Sequence, residues 1–273
     1  MKSLSSDILT KSGFLVGNSK LNAFLIGSSS HIQLTPLGQK LKTVIKSLIT
    51  KNQSKIVDSK ISTEIKCPKS KYLETFFQIQ RERKIWWMKY SSNPGRFRFS
   101  DFIQTEENIR KVNICSAFEF GSIDIESLEV HPVDDVNVSI QSTVSLDEAV
   151  MGILLDASEG AMLRLHRNLA PYQVSLLHCS KDGETRLLRD HVFQNLKESG
   201  VRMDPEFNKF KDSSDLERLI RTKDYIGIPF DVIVEDEALN SGLLKLRNRD
   251  TTISELIHIS SLSDYLVKIL NSF

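Results

Sequence analysis

The side chains with the types for chemistry are scattered. His178-Cys179 lies twelve residues before His191, and acidic runs occur at Asp134-Asp135 and Glu235-Asp236-Glu237. A metal or nucleophile pair could be built from the first set, but His178 falls on an expected strand and His191 on the helix after it, where core and surface roles prevail. The acidic runs read as solvated turns. No G-x-x-x-x-G-K-[ST], G-x-G-x-x-G, H-E-x-x-H or G-x-S-x-G is present. No spacing clusters carboxylates on one wall as metal-assisted hydrolysis requires. Catalytic residues, bound metal and cofactor are therefore all expected to be absent.

A second set suits binding. Arg81, Arg83, Lys84 and Lys89 alternate with Trp86, Trp87 and Tyr90, and Arg96 and Arg98 follow directly. Cations hold phosphates and aromatic rings stack on bases, so these six cations are candidate nucleic-acid-binding residues. Tryptophans on a helix are more often core anchors, which gives the same stretch a packing role.

Charge is divided along the chain. Net charge is +1, but residues 1–111 hold 20 Lys and Arg against 8 Asp and Glu, residues 112–162 hold 0 against 10, and residues 163–273 hold 16 against 17. A basic front segment attracts polyanions because each phosphate neutralised releases counterions. With 273 residues and 40% hydrophobic content the chain can bury a core and is expected to hold two domains, 1–162 and 163–273. The longest apolar run, Ala149 to Leu155, is far below the roughly 20 residues of a membrane span. Three cysteines without C-x-x-C suit a reducing compartment. Residues 1–20 carry Lys2, Lys11 and Lys20 but no Arg, a weak match to a mitochondrial presequence.

These residues must be positioned by helices and strands of ordinary kinds. Phe14 to Ile26 is one apolar piece; Pro36 to Ile49 is an amphipathic helix with Leu37, Leu41, Val44, Ile45 and Leu48 on one face. Asn52 to Lys71 reads as a linker or weak strand, Lys71 to Tyr90 as a helix ended by Asn93-Pro-Gly, and Val112 to Asp156 as strands with alternation through Val130, Val133, Val136, Val138 and Ile140. From Tyr172 the pattern is strand, helix, strand, helix, strand: Tyr172 to Cys179, Thr185 to Ser199 stopped by Gly200, Val201 to Met203, a helix capped at Asp212, and Val232 to Val234. Asn240-Ser241-Gly242 reads as a hairpin turn, Leu243 to Leu246 as the returning strand, Asp250-Thr251-Thr252 as a helix start and Ser261 as the start of a closing helix. The fold class is thus α/β, with an α+β front part and a mostly parallel sheet flanked by helices behind it.

Leu169-Ala-Pro-Tyr-Gln-Val, Asp224-Tyr-Ile-Gly-Ile-Pro-Phe and Leu246-Arg-Asn-Arg-Asp resemble the anticodon-binding domain of class IIa aminoacyl-tRNA synthetases of the glycyl and prolyl types. Gly242-Leu-Leu-Lys-Leu-Arg-Asn-Arg-Asp-Thr-Thr with His258-Ile-Ser-Ser-Leu-Ser-Asp-Tyr-Leu is closer still to a derivative family, the accessory (processivity) subunits of mitochondrial DNA polymerase gamma. Ser12-Gly-Phe-Leu, Leu34-Thr-Pro-Leu-Gly, Arg81-Glu-Arg-Lys-Ile-Trp-Trp-Met-Lys and Arg164-Leu-His-Arg-Asn-Leu-Ala-Pro agree with it. The resemblance implies a reduced class II synthetase-like domain over 1–162 and an anticodon-binding-like domain over 163–273. It implies a non-enzyme: Ser145-Leu-Asp-Glu stands where the synthetases' third motif has an ATP-binding Arg, so Glu148 reverses the charge beside the phosphates. Implied partners are the polymerase gamma catalytic subunit and primer-template or double-stranded DNA, in the mitochondrial matrix nucleoid. Gly242, Leu243, Leu244, Lys245, Arg247 and Arg249 are the residues implied at the polymerase interface. Between Thr50 and Lys71 there is no room for the helical insertion that dimerises vertebrate members, implying one copy per polymerase. The alternative is a tRNA- or RNA-binding protein that kept the anticodon domain's use.

Overall fold

The computed structural model describes residues 20–28, 31–50, 54–104, 110–158, 160, 162–179 and 183–272. The chain divides into two compact units, Met1–Ala157 and Ser158–Phe273. Residues 14–19 of the first apolar piece, and Ser12-Gly-Phe-Leu with them, lie outside the described residues.

The first unit opens with a short 3-10 turn, Leu21–Ala23, and the hairpin β1 (Leu25–Ser28) and β2 (His31–Leu34). Helix α1 (Pro36–Ile49) follows. It starts there because the Thr35 hydroxyl accepts from Gly38 N at 3.2 Å and Pro36 needs no donor partner in a first turn. Its buried stripe is Leu41, Val44, Ile45 and Ile49, with Leu48 exposed at the edge; each fully buried aliphatic side chain contributes ~1.5–3 kcal/mol.

The expected linker is instead ordered as strand. Strands β3 (Lys55–Val57) and β4 (Lys60–Pro68) form a hairpin, and β4 pairs along its whole length with β9 (Asn137–Ser145). Only Ile61 of β4 is buried, so the hydrophobic signal is faint and backbone pairing supplies the order. The rest of the antiparallel sheet is β8 (Gly121–Pro132), β7 (Arg110–Phe118), β5 (Phe97–Phe99) and, pairing β7 beside it, β6 (Ile103–Gln104). Val130, Val138 and Ile140 are buried as the alternation requires, whereas Val133 and Val136 belong to the exposed β8–β9 turn. Helix α2 (Tyr72–Lys89) and helix α3 (Leu146–Ala157) serve the same sheet face, because Phe97, Ser116, Glu126 and Ser142 beneath them share that face by register.

The second unit is a five-stranded mixed sheet in the order β11-β10-β12-β13-β14. Strand β10 (Val174–Cys179) lies parallel between β11 (Met203–Phe210) and β12 (Phe230–Val234), with α4 (Gly183–Glu198) and α5 (Ser213–Tyr225) as crossovers. Asp212 caps α5 by accepting from Asp215 N at 2.9 Å. The hairpin from β12 returns through a single helical turn, α6 (Ala238–Ser241), into β13 (Leu243–Asn248).

One expectation fails at Asp250. No helix starts there: Thr252 takes φ +59°, and Ser254–His258 forms β14, an antiparallel fifth strand against β13. The closing helix α7 (Ile259–Asn271) begins after it, capped by the His258 ring, which accepts from Ser260 N at 3.3 Å.

Two buried sets of polar side chains stand out in this unit. Arg247 donates to Asp224 and Asp231 at 2.9 Å, and Ser175 donates to Asp231. Complete burial holds the Asp231 carboxyl up at about 6 despite that arginine. His178 is 1% exposed with Nε2 3.2 Å from Arg189 Nη1. Burial, followed by the charges of Arg189 and Lys209, pushes its imidazole down from 6.5 to about 4. Its folded-state value lies below the unfolded one, so this group's contribution is present above pH 6.5 and lost as pH falls from there through about 4. Chemical denaturation of wild type and His178→Gln between pH 7 and pH 4 is expected to show the variant losing roughly 3 kcal/mol less over that range, about 1.36 kcal/mol per unit. Parallel pH curves would contradict the assignment.

Candidate nucleic-acid and polymerase interfaces

The six candidate DNA-binding cations separate according to helical and strand periodicity. On α2, Phe76, Ile79, Gln80 and Trp87 are buried, and Arg83 falls on the same stripe one turn before Trp87. Its guanidinium grips Glu126 of β8 through two bonds, Nε to Oε1 at 2.7 Å and a second nitrogen to Oε2 at 3.0 Å. The Trp87 indole N–H donates to the same carboxylate at 2.6 Å, as does the Ser142 hydroxyl. The Glu126 side chain has no exposed surface. Arg83 is therefore a structural ligand of a buried carboxylate, which corrects its assignment to DNA.

Arg96 has a similar fate. Its Nε lies 3.0 Å from Asp156 at the end of α3, and its guanidinium sits 4.9 Å over the Phe118 ring. Asp156 also accepts from the Ser91 hydroxyl at 2.8 Å and Ser92 N at 2.7 Å, so the loop after α2 is tied to α3 through one carboxylate. With its side chain 11% exposed, Arg96 has little left to offer a phosphate.

Arg81 and Lys89 are exposed on the outer side of α2, and Lys84 lies beside them with its Nζ 5.1 Å over the Phe99 ring. Lys89 Nζ is 5.4 Å over Tyr90. Arg98 is exposed too, but Phe97 beside it is buried against Trp87, so strand alternation sends Arg98 to the opposite side of the sheet from α2. The aromatic residues divide the same way: Trp87 is core, and Trp86 stays partly exposed with the Arg83 guanidinium 5.0 Å above it. A helical stripe through residues 76, 80, 83 and 87 is present in the sequence and is the signal that turns Arg83 inward.

The candidate polymerase interface divides as well. Leu244 is 1% exposed in the core, Arg247 is spent on Asp224 and Asp231, and Arg249 is 1% exposed with bonds to the carbonyls of Gly227 at 2.8 Å and Leu165 at 2.9 Å. These three hold the fold, a correction to their assignment as contacts. Gly242 ends α6 at φ +67°, and a Cβ there would meet His258 Nε2 at 2.7 Å, so its role is also conformational. Leu243 and Lys245 are left, the latter paired with Glu235 at 2.6 Å. Register places Leu256 of β14 opposite Lys245 and on the same face, 62% exposed. Sequence reasoning misses Leu256 because Asp250-Thr-Thr carries the chemistry of a helix start.

Among the described residues, no group of three or more His, Cys, Asp or Glu could hold a metal ion. His191 bonds Asn195 at 3.0 Å, and the Cys115 thiol donates to Asp124 at 2.9 Å, pushed up to about 12 by burial and that carboxylate. No helix is long and apolar enough to cross a membrane among the described residues.

Residues 173–269 match the family model described as Anticodon binding domain. The solved prolyl-tRNA synthetase of Cryptosporidium parvum, complexed with L-proline and AMP, superimposes with TM-score 0.67 over 98% of this chain and 78% of that one at 10% identity, a likeness of fold. A glycine–tRNA ligase of Archaeoglobus fulgidus is 26% identical over 63% of this chain and 30% of its own length. The DNA polymerase subunit gamma-2, mitochondrial, of Drosophila melanogaster is 30% identical over 242 residues, 78% of this chain and 67% of that protein. The chain belongs to the DNA polymerase subunit gamma-2 family. The Xenopus laevis and Bos taurus members match at 30% and 28% identity, and the chain spans about half the length of each, 48% and 46%. In this family member the synthetase-type fold is retained in both units, with the cations divided between buried ion pairs and open surface as described.

The division is testable by stability. Arg83→Ala leaves the Glu126 carboxylate buried without its cation and is expected to cost about 3–5 kcal/mol. Arg81→Ala, on the open side of the same helix, is expected to stay within ~0.5 kcal/mol. Urea denaturation of the two variants checks this; equal losses would refute the inward assignment of Arg83.

Proposed function

We propose that this chain is a non-catalytic accessory subunit that binds the catalytic subunit of mitochondrial DNA polymerase gamma and raises its processivity on primer-template DNA. The observation that carries the reading is the similarity to DNA polymerase subunit gamma-2 over most of the chain and two thirds of the Drosophila relative. The names of the Drosophila and Xenopus relatives include "mitochondrial", which supports a mitochondrial location, with the matrix nucleoid as its place.

Two features support a binding role over a synthetase reaction. The first turn of α3 carries Asp147 and Glu148 where the synthetase motif holds ATP phosphates through an arginine, and Glu148 Oε2 is enclosed without a hydrogen-bond partner. The Glu148 carboxylate at that helix start opposes a triphosphate, although the helix dipole alone would favour one; Asp147 is paired with Lys42 at 2.6 Å. The second is the pair of exposed cations Arg81 and Lys89 on α2, with half-buried Lys84 beside them.

The polymerase contact is assigned to the open half of the second unit's sheet, through Leu243, Lys245 and Leu256. Helix α5 covers the other half of that face, packing Leu216, Leu219 and Ile220 on Leu177, Cys179, Phe210 and Ile233. DNA is assigned to Arg81, Lys84 and Lys89, with Arg98 on a separate surface. The β3–β4 hairpin takes up the sequence between α1 and α2, which supports one copy per polymerase.

Joining a protein contact and a DNA contact in one assembly raises the effective concentration of the second, so each dissociation of the polymerase becomes rarer. Primer extension by the cognate catalytic subunit is expected to give longer products per binding event when this protein is added, and unchanged length at every salt concentration would refute the proposal. Arg81→Ala with Lys84→Ala is expected to weaken duplex binding several-fold and to lower the slope of log K against log salt by about 1 for each cation removed from a phosphate. Leu256→Asp is expected to abolish co-purification with the catalytic subunit while leaving duplex binding unchanged. Binding to tRNA with no affinity for duplex DNA would favour the anticodon-type alternative instead.

A further inference from the structure

We infer that the groove between the start of α2 and the adjoining sheet edge is a docking site for a protein segment that presents bulky apolar side chains next to carboxylates. The groove encloses about 370 Å3 and is lined by Tyr72, Leu73, Phe76, Phe77, Phe102 and Val130, with Arg110 at its rim. Phe76 and Val130 form a buried floor. The walls are open: Leu73 is 49%, Phe77 59% and Phe102 53% exposed. Three exposed large apolar side chains gathered in one place differ from the scattered single residues that any soluble surface carries.

The rings are already arranged as a receptor. Phe76 meets Phe102 edge to face at 6.4 Å and Phe77 at 6.1 Å, so the walls are braced from below. A pocket whose shape exists before binding saves the occupant the ordering cost of its side chains.

Charge decides the occupant's chemistry. Arg110 donates to the Tyr72 hydroxyl, and its guanidinium lies 5.4 Å over the Tyr72 ring, which fixes a cation at the rim of an otherwise apolar pocket. Along α2 the exposed wall residues Leu73 and Phe77 stand beside exposed Glu74 and are followed one turn later by Arg81, so the fixed cation at the pocket itself is Arg110. Among the described residues no carboxylate lines the pocket. A segment entering with an aromatic or leucine side chain would find its neighbouring Asp or Glu next to the Arg110 guanidinium. A short amphipathic helix with apolar residues at i and i+4 and acids beside them meets that pattern. This groove is in the first unit, and the inference is separate from the polymerase contact assigned to Leu243, Lys245 and Leu256.

The probe is a fluorescein-labelled fourteen-residue helical peptide with Phe and Leu at i and i+4 flanked by Asp and Glu, titrated by fluorescence anisotropy against the full chain. Two control peptides replace Phe and Leu by Ala, or the acids by Lys. The parent is expected to bind, each control about tenfold more weakly, and Phe77→Ser and Arg110→Gln to weaken the parent at least fivefold. Phe77 is an exposed wall residue, so its variant is expected to keep the wild-type denaturation midpoint, measured in parallel. Equal binding of the Lys control, or no effect of Phe77→Ser, overturns the inference. So does displacement of the peptide by single-stranded DNA, which would give the groove to nucleic acid. A dimer of the wild type in sedimentation velocity that Phe77→Ser converts to monomer also overturns it, because the occupant is then a second copy.

Discussion

A carboxylate removed from water is tolerable only when cations and donors surround it, and Glu126 meets that condition through Arg83, Trp87 and Ser142. The three donors come from a helix and a neighbouring strand, so the acid fixes where α2 lies on the sheet and how it is rotated. Rotation sets which cations reach solvent. Arg83 is drawn inward, and Arg81, Lys84 and Lys89 are left outside by the pitch of the helix alone. Asp156 repeats the arrangement at the helix end through Arg96, Ser91 and Ser92. The surface available to a polyanion is what remains after these two acids have taken their partners.

The second unit spends its arginines in the same manner. Arg247 joins β13 to Asp231 on β12 and to Asp224 at the end of α5, while Arg249 satisfies carbonyls of Leu165 and Gly227 that would otherwise be buried without donors. Planar guanidinium groups suit this work because they donate in several fixed directions at once. The motif Leu246-Arg-Asn-Arg-Asp, one of the three that resemble the synthetase domain, is therefore a folding device in this protein. The proposed polymerase contact falls to Leu243 and Lys245, which share the face of Arg247 on β13 but remain more exposed, and to β14.

Much of the architecture was legible because it rests on local pattern. The alternation of strand and helix from Tyr172, the Asp212 cap and the apolar face of α1 all depend on residues within a few positions of one another. The failures have a different physical origin. Strand β4 carries a single buried residue and is held by pairing with β9, some seventy residues away. Asp250-Thr251-Thr252 has good capping chemistry, but β13 offers a free edge, and pairing with Ser254–His258 outweighs the local preference. Arg83 shares the helical stripe of Phe76, Gln80 and Trp87 and Arg81 does not, but the buried partner that Arg83 meets there, Glu126, lies forty-three residues on. Within the proposed binding surfaces the residue types were readable, while their directions required the tertiary partners.

The Glu126 cluster also constrains how this sequence can drift. Loss of Arg83 alone strands a charge in the interior, and loss of Trp87 or Ser142 removes one of its donors, whereas replacing the acid and its arginine together by apolar residues of like volume removes the penalty. Viable descendants are thus reached by coupled changes at positions far apart in the chain, so substitutions at Arg83 and Glu126 should arise as pairs.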